Sequence, residues 1–367
     1  MIAIVTCGHR PDDERIYERE IKTLLKAGYK ITYFTRWKGD KNLSGENLWH
    51  RNYTKKDLSI RDYIQGILKD FKVLKPSVVH IHEFELLPLA KKAKKSYNSK
   101  IIYDVHEANI ELWDAFSSKP VGIKQLINKS LNQFEKGYLN NVDFVLTTTP
   151  ELVNRYQKNG IQSKFVPNYP IARSQRIKKS NIPTIIYHGQ ISLERGLQDL
   201  INALPPLINK ELLFKVEIYG SERVLGTVDE LNRLIHELKL GDIVKIYSQL
   251  PHDEMMKVLS KAHISVIPFR EYPMFRIALP VKMFEAMQVR CAIIASDLDA
   301  IREYGEGFIE LYPAGDVKAF SHAISKLLNN NKERNRMGAI GTKLIKEKYN
   351  WQKVEPTFLS VYKEILR

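Results

Sequence analysis

Long apolar runs are missing from this chain. No stretch of its 367 residues approaches the roughly 20 consecutive apolar positions of a membrane-spanning helix. The opening, "MIAIVTCGHRPDD", has no basic leader followed by an apolar core, so no signal peptide is expected. Cysteine is scarce. Cys7 and Cys291 lie in apolar, strand-like surroundings and read as buried thiols, which fits a reducing compartment. Zinc-ligand spacings, coiled-coil heptads and the aromatic signature of RNA-binding modules are all absent, as is an acidic D-x-D pair placed for a metal. Acidic residues are in deficit: 57 Lys and Arg face 42 Asp and Glu, a net charge of +15. Such an excess points to an anionic partner. Without a nucleic-acid motif that partner is expected to be anionic lipid or a polyanionic substrate, not nucleic acid.

What is present describes an ordinary globular protein, 44% hydrophobic and 27% charged, long enough for two domains. "IAIVT", "KITYFTR", "SVVHIHE", "KIIYDVHE" and "VDFVLTT" read as buried strands with room for a helix between each pair. After the first, "DERIYEREIKTLLKAG" puts Tyr17, Ile21, Leu24 and Leu25 on one helical face, with Asp12 or Asp13 as N-cap and Gly28 as stop. The alternation breaks at "FVPNYPIARSQRIKKSNIP", polar and proline-punctuated like a linker. It resumes with "TIIYHG", "FKVEIYG", "VKIYS", "ISVIPF", "CAIIAS" and "GFIELY". Alternating strands and helices imply α/β architecture with doubly wound parallel sheets. The expected division is a first domain over 1–168, a linker over 169–183 and a second domain over 184–351. A helix over about 352–367, with Phe358, Val361, Tyr362 and Ile365 as an apolar stripe, is expected to cross back onto the first domain. Two such domains make a cleft, with ligands at the carboxyl ends of strands.

Those strand ends carry the chemistry. In "YHGQISLERGLQDLI", Arg195 is read in the first turn of a helix, where a cation opposes the helix dipole. Either it is solvated, or an anion sits between it and the helix N-terminus. In "LPVKMFEAM", Pro280 suits a first helical position and Lys282 and Glu285 share a face. They form either a surface ion pair or a cation for a diphosphate beside a carboxylate for ribose hydroxyls.

Together with "VEIYGSE", "IHELKLGDIVKIYSQLPHDEMMKVLSKAHISVIPF" and "AIIASDLDAIREY", these pieces resemble, in order and spacing, the nucleotide-sugar domain of retaining GT-B glycosyltransferases, in particular glycosyltransferase family 4 (glycosyl transferases group 1). "PDDERIYEREIKTLLKAGYKI", "VVHIHEFELLPLAKKA", "IIYDVHE" and "TTTPELVNRY" resemble its acceptor-side domain, so the resemblance spans the chain. It implies two Rossmann-like domains facing across a cleft. Arg195 and Lys282 would meet the donor diphosphate, Glu285 the ribose, and His106 the reacting face of the transferred sugar. Gly8, Gly189 and Gln190 would lie along the donor. His106 and its neighbour Glu107 also read as a strand-end histidine capped by a carboxylate.

The sequence leaves the family at three places. Ile277 stands where the family has a sugar-binding glutamate, Gln190 where an arginine is frequent, and Arg290 where the helix of Glu285 would end in glycine. Glu271, Arg276, Ile277 and Leu279 are therefore the candidate sugar contacts. The resemblance implies a retaining transfer from a nucleotide diphosphate sugar, a UDP-sugar by preference, onto a glycan or lipid-linked glycan in cell-surface polysaccharide biosynthesis. It implies no metal or other cofactor. A nucleotide-sugar epimerase of the same architecture and a non-catalytic sugar- or lipid-binding relative are the alternatives. The expected location is cytoplasmic, with a peripheral site on the inner membrane face. For that site, "VGIKQLINKSLNQFEKGYL" offers Ile123, Leu126, Ile127, Leu131 and Phe134 on one face among Lys124, Lys129 and Lys136, near "KKAKK". The other reading of this helix is core packing with a solvated basic face.

Overall fold

The computed structural model describes residues 1–39, 41–54, 58–106, 117, 119–173, 177–208, 212–277, 279–305 and 307–367, and at 277 the backbone alone. The chain forms two compact units, Met1–Asn168 with Trp351–Arg367, and Tyr169–Asn350.

The first unit is built on seven parallel strands: β1 (Ile2–Val5), β2 (Ile31–Trp37), β3 (Leu48–Thr54), β4 (Val78–Ile81), β5 (Lys100–Val105), β6 (Phe144–Thr147) and β7 (Ser163–Phe165). Their order is β3-β2-β1-β4-β5-β6-β7. β1, β4 and β6 are buried along their whole length, as their continuous Val and Ile content requires of strands covered on both faces. The second unit has six parallel strands: β8 (Thr184–His188), β9 (Lys215–Tyr219), β10 (Val244–Tyr247), β11 (Ile264–Ile267), β12 (Ala292–Ser296) and β13 (Ile309–Tyr312). They are ordered β10-β9-β8-β11-β12-β13. In each sheet the winding reverses once, between β1 and β4 and between β8 and β11. Such switch points leave a crevice beyond the carboxyl ends of two neighbouring strands.

Sequence reading overlooked β3 and β7. The first is an edge strand, half-exposed and rich in polar residues, and the second is three residues long. The first helix also departs from the expected pattern. Asp13 caps it, accepting from the backbone N–H groups of Arg15 and Ile16, but Glu14–Ile21 is a π-helix that becomes α-helical over Lys22–Lys26. The wider turn moves the buried face onto Arg15, Ile16, Arg19, Glu20 and Ile21, leaving Tyr17 and Leu25 only half-buried.

Residues 169–183, read as a linker, belong to the second unit. Tyr169 packs its ring on Phe284 and Tyr349, at centroid distances of 4.9 and 5.4 Å, and Lys179 donates to the Val289 carbonyl at 2.9 Å. The C-terminal helix Trp351–Ile365 packs in the first unit. Phe358, Val361 and Tyr362 are buried, Trp351 Nε1 donates to Thr23 Oγ1 at 2.9 Å, and Tyr362 Oη lies 2.7 Å from His80 Nδ1. Pro356 sits inside this helix. Among the described residues no helix is long and apolar enough to cross a membrane.

Candidate functional site

The switch point of the second sheet gathers most of the residues singled out in the sequence. β8 ends at His188, and Gly189 turns the chain with φ +121°. That conformation favours glycine, and an added Cβ would meet Lys282 Nζ at 2.8 Å and push it aside. Arg195 ends a 3-10 turn, Leu193–Arg195, and the helix Leu197–Asn202 begins only after Gly196. The expected place of Arg195 within the helix is thus corrected. Gly196 takes φ +70° and passes so close to the Pro268 carbonyl that a Cβ would lie 1.7 Å from its oxygen, which breaks the helical path. The loop after β11 is tied down by Arg270, which grips Asp199 with two bonds of 2.9 and 2.8 Å.

Arg195 and Lys282 converge over Phe269, their charged groups 5.2 Å from its centroid in both cases. Lys282 Nζ also stands 4.1 Å above the Tyr187 ring. Lys282 lies in the helix Val281–Gln288, for which Pro280 is the N-cap and not the first helical residue. Its Nζ and the Nε of Arg195 are buried without a hydrogen-bond partner among the described residues. Burial first, and then repulsion by Arg195, lowers the Lys282 pKa well below the ordinary lysine range, against a weaker pull from Glu285. Cationic nitrogens buried side by side without hydrogen-bond partners are costly. The Ser192 hydroxyl and His188 Nδ1 are likewise buried and unsatisfied. A ligand with several anionic oxygens would complete the two cations and the Ser192 hydroxyl.

Glu285 accepts from His188 Nε2 at 2.8 Å and has His252 Nδ1 at 3.5 Å. With Nε2 donating to a carboxylate, a neutral His188 presents Nδ1 as an acceptor. Sequence reading missed His188, Ser192 and His252; a polar residue closing the apolar run "TIIYH" was the available signal. Gln190 is half-buried and its carbonyl accepts from the Tyr187 hydroxyl at 2.6 Å. Glu271 and Arg276 are exposed and bonded to each other. Leu279 is half-buried, Ile277 ends the short helix Pro273–Ile277, and its side chain lies outside the described residues. Arg290 takes the left-handed conformation, φ +59°, that the expected glycine would have supplied.

The switch point of the first sheet is of another kind. Glu83, beyond β4, accepts from the backbone N–H groups of Cys7 and Gly8, both at 3.0 Å, and from the Thr6 hydroxyl. The Gly8 N–H, expected to face a diphosphate, is therefore held by a carboxylate. His106 follows β5 with Nε2 2.9 Å from His82 Nδ1 and 3.5 Å from Asp104 Oδ1; Glu107 is outside the described residues. Beneath it Arg15 Nη2 bridges both Asp104 oxygens at 3.0 and 2.8 Å, and its Nε stands 2.9 Å from Glu20. Burial drives the Asp104 carboxyl up, but Arg15 and the neighbouring imidazoles outweigh it and hold the group ionised. Glu20 is pushed up by burial and by Asp104. His80 and His82 are kept neutral by burial. Glu20, His80, His82 and Asp104 bring ligand atoms within 4.8 Å of one another, a donor set the sequence did not suggest, but the Arg15 guanidinium already supplies the cation among them.

Comparison with known proteins bears on the second unit first. Residues 169–344 match the family model described as glycosyl transferases group 1. The MMP alpha-(1->4)-mannosyltransferase of Mycolicibacterium hassiacum is 29% identical over 181 residues, 47% of this chain and 40% of that protein. The chain spans about half the length of the curated relatives it matches. Among solved structures, the sucrose-phosphate synthase (tll1590) of Thermosynechococcus elongatus superimposes with a TM-score of 0.80 at 18% identity, covering 100% of this chain and 98% of its own. Anabaena Alr3699/HepE in complex with UDP gives 0.74 at 11% identity, with 99% of both chains covered. The architecture is the GT-B fold.

Proposed function

We propose that this chain, GT-B in fold and of the glycosyl transferases group 1 kind over residues 169–344, is a glycosyltransferase that moves a sugar from a nucleotide diphosphate donor. One observation carries the reading: at a strand switch point the Nζ of Lys282 and the Nε of Arg195 are buried side by side with no hydrogen-bond partner among the described residues. The donor diphosphate is the missing anion. Fixed cations placed where charge gathers on the departing diphosphate lower the barrier to bond cleavage, since they need no reorganisation as the bond breaks. Glu285, steadied by His188 and His252, accepts from the two ribose hydroxyls. Uridine is the favoured nucleoside, supported by the UDP complex of the Anabaena neighbour.

The transfer is proposed to retain anomeric configuration by same-face displacement, with the leaving phosphate helping to deprotonate the acceptor hydroxyl. His106 serves the sugar. The acceptor is a glycan or lipid-linked glycan of cell-surface polysaccharide biosynthesis. With Ile277 in place of a carboxylate, the donor sugar is recognised through fewer charged hydrogen bonds, which favours deoxy or N-acetylated donors.

A panel of nucleotide sugars, assayed with and without glycan and lipid-linked acceptors, tests the assignment. The expected result is UDP binding by calorimetry and nucleotide release that depends on acceptor. A sugar altered without release would make the protein an epimerase. Binding that never leads to turnover would make it a non-catalytic relative.

A further inference from the structure

The helix Val121–Leu139 buries only Leu139. Its other large apolar side chains are left in water to an unusual degree: Val121 is 71% exposed, Leu126 66%, Ile123 47% and Phe134 36%. Ile127, Leu131 and Tyr138 are half-buried, so the helix rests on the unit along one flank and presents a second apolar strip outward. Charge on this helix is one-sided. Its only carboxylate, Glu135, is turned inward to accept from the hydroxyls of Tyr103 and Tyr156, at 3.2 and 2.7 Å. Lys124, Lys129 and Lys136 are all basic, and the helix Leu87–Tyr97, packed beside it, adds Lys91, Lys92 and Lys95. An apolar strip of single side chains edged by lysines, with the one acid withdrawn, matches a surface that is anionic outside and hydrocarbon beneath. A second copy of the chain would bring the same positive charge to the contact, which disfavours self-association.

We infer that this helix docks the first unit on an anionic lipid surface, with Ile123 and Leu126 entering the headgroup–acyl boundary and the lysines pairing with lipid phosphates. Docking does not depend on the reaction catalysed. Its consequence, which rests on the glycosyltransferase reading, is that the acceptor is met at the membrane as a lipid-linked glycan.

Co-sedimentation of the full chain with phosphatidylcholine vesicles, with and without phosphatidylglycerol, tests the inference. The intact protein should bind only the anionic vesicles and be released by salt. Lys129→Glu with Lys136→Glu should weaken binding by about tenfold or more. Ile123→Ser with Leu126→Ser, which leaves charge unchanged, should weaken it several-fold. Both double variants should melt as the wild type does and keep its affinity for UDP, so loss of docking is separable from failure of the donor-site assignment. Equal binding to neutral vesicles, no binding, or full binding by the serine variant would overturn the inference. So would a concentration-dependent dimer that the serine substitutions abolish without any vesicle association.

Discussion

The two sheets share one strand order around their switch points, yet the charges gathered there are handled in opposite ways. In the first unit the buried charges described lie against opposite ones. Glu83 takes the N–H groups of the β1 loop, and Arg15 lies between Asp104 and Glu20. In the second unit, Arg195 and Lys282 face each other over Phe269 with buried nitrogens left unsatisfied. In the first, opposite charges offset each other within the fold, whereas in the second two like charges would be balanced by an added anion. The two switch points share a topology and differ in their charge balance.

The contrast breaks hardest at Arg15. Replacing it by Met leaves Asp104 buried and uncompensated, and breaking a buried ion pair by removing one partner costs ~3–5 kcal/mol. Denaturant unfolding should show that loss in the first unit, with UDP affinity untouched. A variant as stable as the wild type would mean that the charges are not paired as described.

His106 sits at the solvent edge of the same network. His106→Ala should lower turnover about a hundredfold, within the span of a lost positioned acid–base or polar group, and leave UDP affinity as it was. Weaker UDP binding with normal turnover would move His106 out of the reaction.

The smallest effect is the sharpest test of the charge balance in the second unit. Lys282→Met should reduce UDP affinity about thirtyfold, or ~2 kcal/mol, the scale of a hydrogen bond to a charged group. Its effect on stability should have the opposite sign. Because burial and Arg195 lower the Lys282 pKa, the ligand-free fold is penalised wherever the amine would be protonated in the unfolded chain, and the penalty ends only as pH rises through the ordinary lysine range. Removing the amine at neutral pH should therefore raise the unfolding free energy. UDP affinity of the wild type should fall with rising pH as the amine loses its proton. A destabilised Lys282→Met protein would mean that Lys282 is structural.

The strands that the sequence made legible were those buried on both faces, where apolar runs are unbroken. β3 and β7 were not, because an edge strand half in water and a three-residue strand carry no such run. Lys282, Glu285 and Arg195 were legible as charges beside turn residues, but their surroundings were not. Gly196 closes on Pro268, and Asp199 meets Arg270, through contacts some seventy residues apart in the chain. The paired charges of the first unit were hidden for the same reason: "ERIYERE" reads as a solvated helix face until the π-turn carries Arg15 and Glu20 inward toward Asp104.

The helix Trp351–Ile365 also decides when the first unit can be finished. Trp351–Arg367 belongs to a unit whose other residues are made first, with the whole of Tyr169–Asn350 synthesised in between. During translation the second unit has its entire sequence available early. The first unit waits, with the surface around Thr23 and His80 uncovered, until residues 351–367 leave the ribosome. A premature stop ahead of Trp351 would spare the second unit and still leave the oldest part of the chain open to aggregation or proteolysis.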